Sequence, residues 1–183
     1  MDNQSETAVI TEEEALVAEL NLLGIHYLSR QTSHQANQVR APDAFLADLV
    51  QQPHARVRAA VIAVLLSQPE YAKAVPAALE RLSSQNHLTL QALYMAAVLL
   101  QREHAEALQP FLGKRWRWLP DILSQDLNLP PEGAPRERLK LLDRELRHRT
   151  NAKVNWVGTY EQVAQKLLRD WKMRNQRRKQ WNP

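Results

Sequence analysis

Basic and aromatic residues alternate in one short segment, Lys114-Arg115-Trp116-Arg117-Trp118. An arginine guanidinium pairs well with phosphate, and an indole can stack on an exposed base. The same residues also suit a corner between two helices, where tryptophans pack inward and arginine stems lie over them. Arg115, Trp116 and Arg117 are therefore candidate contacts for a partner or for nucleic acid, and a packed corner is the alternative interpretation.

A second group of cations lies close to the end of the sequence, and only one acidic residue, Asp170, interrupts it. On a continued helix these cations would project beyond the folded body and lie along a nucleic-acid backbone, with an affinity that falls as salt rises. They would equally suit an acidic protein surface, with a tryptophan as an anchor, and a frayed, solvated terminus is the third interpretation. The candidate contacts in this group are Arg169, Lys172, Arg174, Arg177, Arg178, Lys179 and Trp181.

Arg81 is followed, after five intervening residues, by His87. This spacing resembles the R-x(4–6)-H element of HEPN ribonucleases, a family of small helical proteins often found in toxin modules. The resemblance implies that His87 would handle the proton of a ribose 2′-hydroxyl while Arg81 steadies the phosphate. The family usually has a polar residue after the arginine, whereas this chain has Leu82.

Several other chemistries lack the residues that they need. The chain has no cysteine, which excludes disulfides, thiolate zinc sites and a thiol nucleophile. None of its six histidines forms a His-x-x-x-His pair, the spacing that places two metal ligands on one helix face. Four scattered glycines cannot form a phosphate-binding loop. The sequence therefore predicts no metal and no cofactor.

Charge is divided unevenly along the 183 residues. Residues 1–100 contain six Lys or Arg against ten Asp or Glu, whereas residues 101–183 contain eighteen against ten. All five tryptophans lie in the basic half. The division favours two surfaces with different partners, or head-to-tail self-association. Chance clustering on a solvated surface is the alternative.

The elements that must position these residues are helices. Good helix formers dominate, and no strand-length alternation of β-branched and polar residues occurs. Thr11 and Glu14 have the spacing of a capping box at the start of the first helix, and ten prolines punctuate the rest. The second helix is predicted to begin near Pro42. The later helices are predicted to cover 56–67, 70–82, 88–101, 104–112, 116–123, 136–147 and 160–171. Pro76 is expected to kink or restart the helix at 70–82.

Two stretches align when the sequence is shifted by 34 residues, so that 63–66 falls on 97–100 and Pro76 falls on Pro110. Helix pairs with a period in this range are typical of α-solenoids. The segment 56–82 resembles a HEAT-like repeat in its small and branched apolar residues, its short break and its second helix. The resemblance implies a protein-binding scaffold without catalytic residues.

The predicted fold is all-α, either stacked HEAT-like helical hairpins or an irregular helical bundle. Residues 1–127 form the helical core, with candidate repeat pairs at 54–82 and 88–113. Residues 128–136 form a proline-rich loop, and residues 137–183 form C-terminal helices with a basic tail that pack on the same domain.

The favoured function is a non-catalytic adaptor that binds another protein, because binding requires none of the missing chemistry. A nucleic-acid-binding accessory protein is the runner-up. A member of a toxin–antitoxin or defence pair, including a HEPN-like RNase, is the third hypothesis. No basic-then-apolar leader and no apolar run of membrane-spanning length occurs, so the expected location is the cytoplasm and no membrane partner is expected.

Overall fold

The computed structural model describes residues 11–28, 36–151 and 156–181. The fold is all-α, as predicted, and no strand occurs within these ranges. The helices are α1 (Glu12–Leu22), α2 (Pro42–Val50), α3 (Ala55–Arg58), α4 (Ala60–Ser67), α5 (Val75–Glu80), α6 (Ser84–Glu103), α7 (Ala105–Leu112), α8 (Pro135–Thr150) and α9 (Trp156–Trp181), with 3₁₀ helices at Pro69–Ala74 and Gly113–Arg115.

Helix α1 begins with the predicted capping box. The Glu14 backbone N–H donates to the Thr11 hydroxyl oxygen, and the Thr11 backbone N–H donates to the Glu14 carboxylate at 2.9 Å. Two backbone N–H groups that the helix itself leaves without acceptors are thereby satisfied.

Arg40 joins α1 to α2. Its guanidinium contacts Glu19 on α1 at 2.6 Å and Asp48 on α2 at 2.6 Å, and its backbone N–H also donates to Glu19. Glu19 is almost fully buried, so this arginine neutralises a carboxylate that would otherwise be costly to remove from water.

Two apolar helices, α4 and α6, form the centre of the molecule and pack against each other. Every side chain of α4 is buried, as expected for a helix with little polar face. Helix α6 is buried from Ala92 to Gln101 and extends beyond the predicted 88–101 at both ends. The predicted helix at 56–67 is divided at Ala59 into α3 and α4. Pro76 restarts the chain as α5, because proline suits a first helical turn.

The last two helices cover the centre. Helix α8 packs on α6, and α9 packs on α4, α6, α7 and α8. The buried inner stripe of α8 includes Leu139, Leu142 and Leu146. The apolar face of α9 is buried up to Leu168, and its described side chains beyond Trp171 are exposed or half-buried.

The predicted helix at 116–123 is wrong. These residues begin an irregular segment, residues 116–129, which we call the strap and which crosses the surface of α6. Pro120 disfavours helical backbone at Leu119. The side chain of Gln101 replaces the missing helical hydrogen bonds, because it donates to the Arg117 carbonyl and accepts from the Leu119 N–H, both at 2.8 Å. The Tyr94 hydroxyl donates to the Pro120 carbonyl at 2.7 Å.

Candidate binding cleft

A cleft lies where α9 passes the ends of α1, α4 and α7. Its volume is about 520 Å³, within the range of sites that hold small ligands or anchoring side chains. Leu23 follows α1, Ser67 ends α4, and Pro110 and Phe111 belong to α7. Three separate parts of the chain therefore form one concavity with α9.

An aromatic pair forms one wall of this cleft. Phe111 of α7 and Trp171 of α9 have ring centroids 5.3 Å apart and planes tilted by 44°. Both rings also pack against the hydrophobic core. The pair couples α7 to α9 and leaves an apolar surface facing the cleft.

Three arginines line the same cleft. Arg115 comes from the 3₁₀ helix after α7, and Arg174 and Arg177 come from α9. Gly113 turns the chain so that Arg115 returns toward α4. Its backbone, at φ 52° and ψ −122°, has a conformation that side-chain-bearing residues rarely adopt. The Arg115 guanidinium then donates to the side-chain amide oxygen (Oε1) of Gln68 at 3.1 Å, just past the end of α4.

The electrostatic balance of the cleft is positive. No Asp or Glu is among the described residues that line it. Asp170 lies one turn before Arg174 on α9 and contacts its Nε at 3.2 Å, which offsets part of that arginine's charge. Burial lowers the pKa of His26 and the charge of Arg174 lowers it further, against the opposing effect of Asp170. His26 is therefore neutral at physiological pH and leaves the arginines as the cations of this region.

The structure brings together only some of the predicted contact residues. Arg115, Arg174 and Arg177 meet in the cleft, although nearly 60 residues separate the first from the others. Arg169 and Lys172 are exposed but do not line it. Residues two apart on a helix point about 200° apart around its axis, so Arg169 faces away from Trp171. Predictions for Arg178, Lys179 and Trp181 concern side chains outside the described residues.

The basic–aromatic segment itself is closer to a packed corner. Trp116 packs partly on the core and meets Trp118 edge to face, with centroids 5.1 Å apart. Arg117 folds back on its own segment and donates to the carbonyls of Lys114 and Trp116. Trp118 remains 55 % exposed. Of the three predicted contacts here, only Arg115 reaches the cleft.

Arg81 and His87 lie on different elements. Arg81 caps the C-terminal end of α5 and its Nε donates to Asp43 of α2 at 2.7 Å, whereas His87 lies in the first turn of α6. The ion pair with Arg81 is the first cause of the lowered pKa of Asp43. Arg81 therefore forms an ion pair that joins α5 to α2.

A second cavity, of about 430 Å³, lies between α6, α8 and α9 and includes Trp156, Tyr160 and Arg149. Arg149 is held there by Glu145 and by the Asp126 carbonyl. Within the described ranges, no group of three or more His, Asp or Glu side chains is placed to hold a metal ion. None of the described helices has both the length and the apolar character needed to cross a membrane.

Comparison with known proteins finds no family model that matches this chain, and no curated protein or solved structure with significant similarity to it. The HEAT-like repeat and the HEPN-like spacing therefore stay predictions.

Sequence reasoning missed Leu23, Phe111 and Trp171 as components of the cleft. Nothing in their local spacing distinguishes them from ordinary core residues. The single useful signal was Trp171 beside a cationic stretch, since an aromatic residue at the boundary between an apolar and a basic helix face often marks a contact surface.

Proposed function

We propose that this protein is a non-catalytic helical adaptor that binds an acidic surface of a protein partner. The observation that carries the proposal is the convergence of Arg115 with Arg174 and Arg177 beside the Phe111–Trp171 pair. Arginine and aromatic residues together are the residue types most enriched at the energetic centres of protein interfaces.

A protein partner fits this surface better than a nucleic acid. Binding to a nucleic-acid strand needs a track of cations along the backbone and aromatic faces on which bases stack. Here Trp171 is only partly exposed and packs on Phe111, so it does not present the freely exposed ring on which a base would stack. Among the described side chains, three cations meet at one concavity and do not continue as a track, because Arg169 and Lys172 lie on another side of α9.

Charge complementarity selects an acidic partner. Mixed apolar and cationic walls suit a protein segment that presents carboxylates around an apolar residue, because attraction between opposite charges sets orientation while apolar burial supplies affinity. The net charge of only +4 over the chain is consistent with local attraction at this cleft.

The test is affinity capture from extract of the source cells, with the whole chain as bait and nuclease treatment as one arm. We expect an acidic protein to remain bound after nuclease and to be lost with the double variant Arg115→Gln/Arg177→Gln. Both arginines are exposed, so the fold should tolerate the change. The matched control is Arg136→Gln/Arg144→Gln, which removes the same charge from exposed positions of α8.

The outcomes separate the two classes of partner. Retention of the same protein by the control but not by the cleft variant supports the proposal. Loss of all bound protein on nuclease treatment, with purified chain binding RNA or DNA at physiological salt, would replace it with the nucleic-acid alternative. Equal capture by wild type and by the cleft variant would reject this surface as the binding site.

A further inference from the structure

We infer that the cleft accepts a short acidic peptide segment with one large apolar side chain, which seats against the Phe111–Trp171 wall. The inference rests on the proposed function and names the part of the partner that the protein recognises. The flanking carboxylates of the segment pair with Arg115 and Arg177, which line the same cleft as that wall.

The cleft has the size for an anchoring side chain. Its volume of about 520 Å³ is larger than one leucine side chain needs. A folded domain would instead bind across a broad surface and would not enter such a concavity. Its apolar lining comes from Leu23, Pro110, Phe111 and Trp171. An apolar side chain placed there would leave water and contribute affinity in proportion to the area buried.

The arrangement of charge demands carboxylates beside that anchor. Arg115 has a neutral amide, Gln68, as its described hydrogen-bond partner, so its positive charge is not cancelled by that contact. Arg177 is exposed on α9. Arg174 is partly offset by Asp170 and acts mainly to keep the wall cationic. Guanidinium groups bind carboxylates in a bidentate geometry, which fixes the direction of the bound segment.

Binding of defined peptides to the purified whole chain tests the inference by fluorescence anisotropy. The first probe is a fluorescein-labelled peptide of glutamates on both sides of a central leucine. The second has alanine in place of leucine, and the third is a single-stranded RNA of the same net charge. We expect the leucine peptide to bind about tenfold more tightly than the alanine peptide, because most of the side chain is buried.

Two charge variants locate the site on the protein. Arg115→Gln/Arg177→Gln should weaken the leucine peptide about fivefold, as expected when two partly exposed ion pairs are lost. Arg169→Gln/Lys172→Gln removes the same charge from the other side of α9 and should weaken it less than twofold through long-range attraction alone. All four positions are exposed, so none of these changes should affect folding.

A third variant tests the apolar wall. Phe111→Leu keeps an apolar side chain next to Trp171 and should reduce the preference for leucine over alanine. Should this variant unfold, the two charge variants still decide the question. Equal affinity for the leucine and alanine peptides would overturn the inference, as would equal losses from the two charge variants or tighter binding of the RNA.

The peptide result and the partner result can differ. If Arg115→Gln/Arg177→Gln loses the captured partner but the peptides show no preference for leucine, only the apolar anchor is wrong. If neither partner nor peptide responds to this variant, the proposed function fails together with the inference.

Discussion

Arg138 of α8 and Asp121 of the strap form an ion pair with an Nη2–Oδ2 distance of 2.7 Å, although the arginine is only 1 % exposed. The same guanidinium nitrogen also donates to the Ser124 hydroxyl. The neighbouring Arg136, Glu137 and Lys140 of α8 are exposed. Arg138 instead fastens the strap to α8, in addition to the hydrogen bonds that Gln101 and Tyr94 of α6 make with it.

Replacing Arg138 with alanine should destabilise the protein by about 3 kcal/mol, because removal of one partner leaves the other charge without compensation and opens a cavity. Urea denaturation followed by circular dichroism measures the loss. Arg136→Ala, two residues earlier and exposed, should change the free energy of unfolding by less than about 0.5 kcal/mol. Similar losses for both variants would show that the buried pair has no special role.

The same pair should make stability depend on acid pH. Burial raises the pKa of Asp121, but hydrogen bonds from Ser124 and Arg138 and the charge of Arg138 outweigh it, so the pKa is lower than usual. The folded state therefore binds its proton less readily than the unfolded chain. The resulting stabilisation is fully present above the ordinary value near 4 and is lost as pH falls through the lower folded value.

Unfolding free energies of wild type and Asp121→Asn, measured from pH 7 down to pH 3, test this dependence. We expect the difference between the two proteins to shrink below about pH 4. A difference that stays constant over the whole range would mean that the charge of Asp121 contributes nothing.

Gln101 of α6 should contribute more to the stability of the fold than most uncharged side chains do. It is fully buried and satisfies one carbonyl and one N–H of the strap, at Arg117 and Leu119. Gln101→Leu would leave both backbone groups without partners, at a cost of about 3 kcal/mol. Hydrogen exchange at the Leu119 amide should accelerate as well. Gln109→Leu, at an exposed site on α7, is the control and should leave that amide protected.

The helices were largely predictable because their signals are local. The helices predicted at 136–147 and 160–171 lie within α8 and α9, and the capping box located the start of α1. The strap was not predictable, since residues 116–123 carry an apolar pattern that a helix would also satisfy. What decides their conformation is a hydrogen-bonding partner, Gln101, that lies well before them in the chain.

The candidate site, too, could be predicted only in part from the sequence. The sequence identified Arg115, Arg174 and Arg177 as cations that could contact a partner. It could not show that they share one cleft, because their meeting depends on how α9 packs beside α7 and α4. It also grouped Arg169 with them, although helix geometry directs that side chain elsewhere.

Replacing His87 with alanine should leave any RNA-degrading behaviour of the purified protein unchanged. A histidine that moves the proton and an arginine that steadies the phosphate must reach one substrate, but Arg81 is bound to Asp43 at the end of α5, while His87 belongs to α6. Cleavage of a labelled RNA, compared between wild type and His87→Ala, provides the measurement. RNA cleavage by the wild type that His87→Ala abolishes would revive the ribonuclease hypothesis.

Salt should separate the two contributions to peptide binding at the cleft. Attraction between arginines and carboxylates is screened as the Debye length falls from about 30 Å at 0.01 M to about 10 Å at 0.1 M salt. Burial of an apolar side chain is not weakened over this range. The affinity for the leucine peptide should therefore fall several-fold, while its ratio to the affinity for the alanine peptide stays constant. Anisotropy titrations at several salt concentrations measure both quantities. A ratio that falls together with the affinity would show that binding of the leucine depends on the ion pairs. The apolar wall would then not bind the leucine independently.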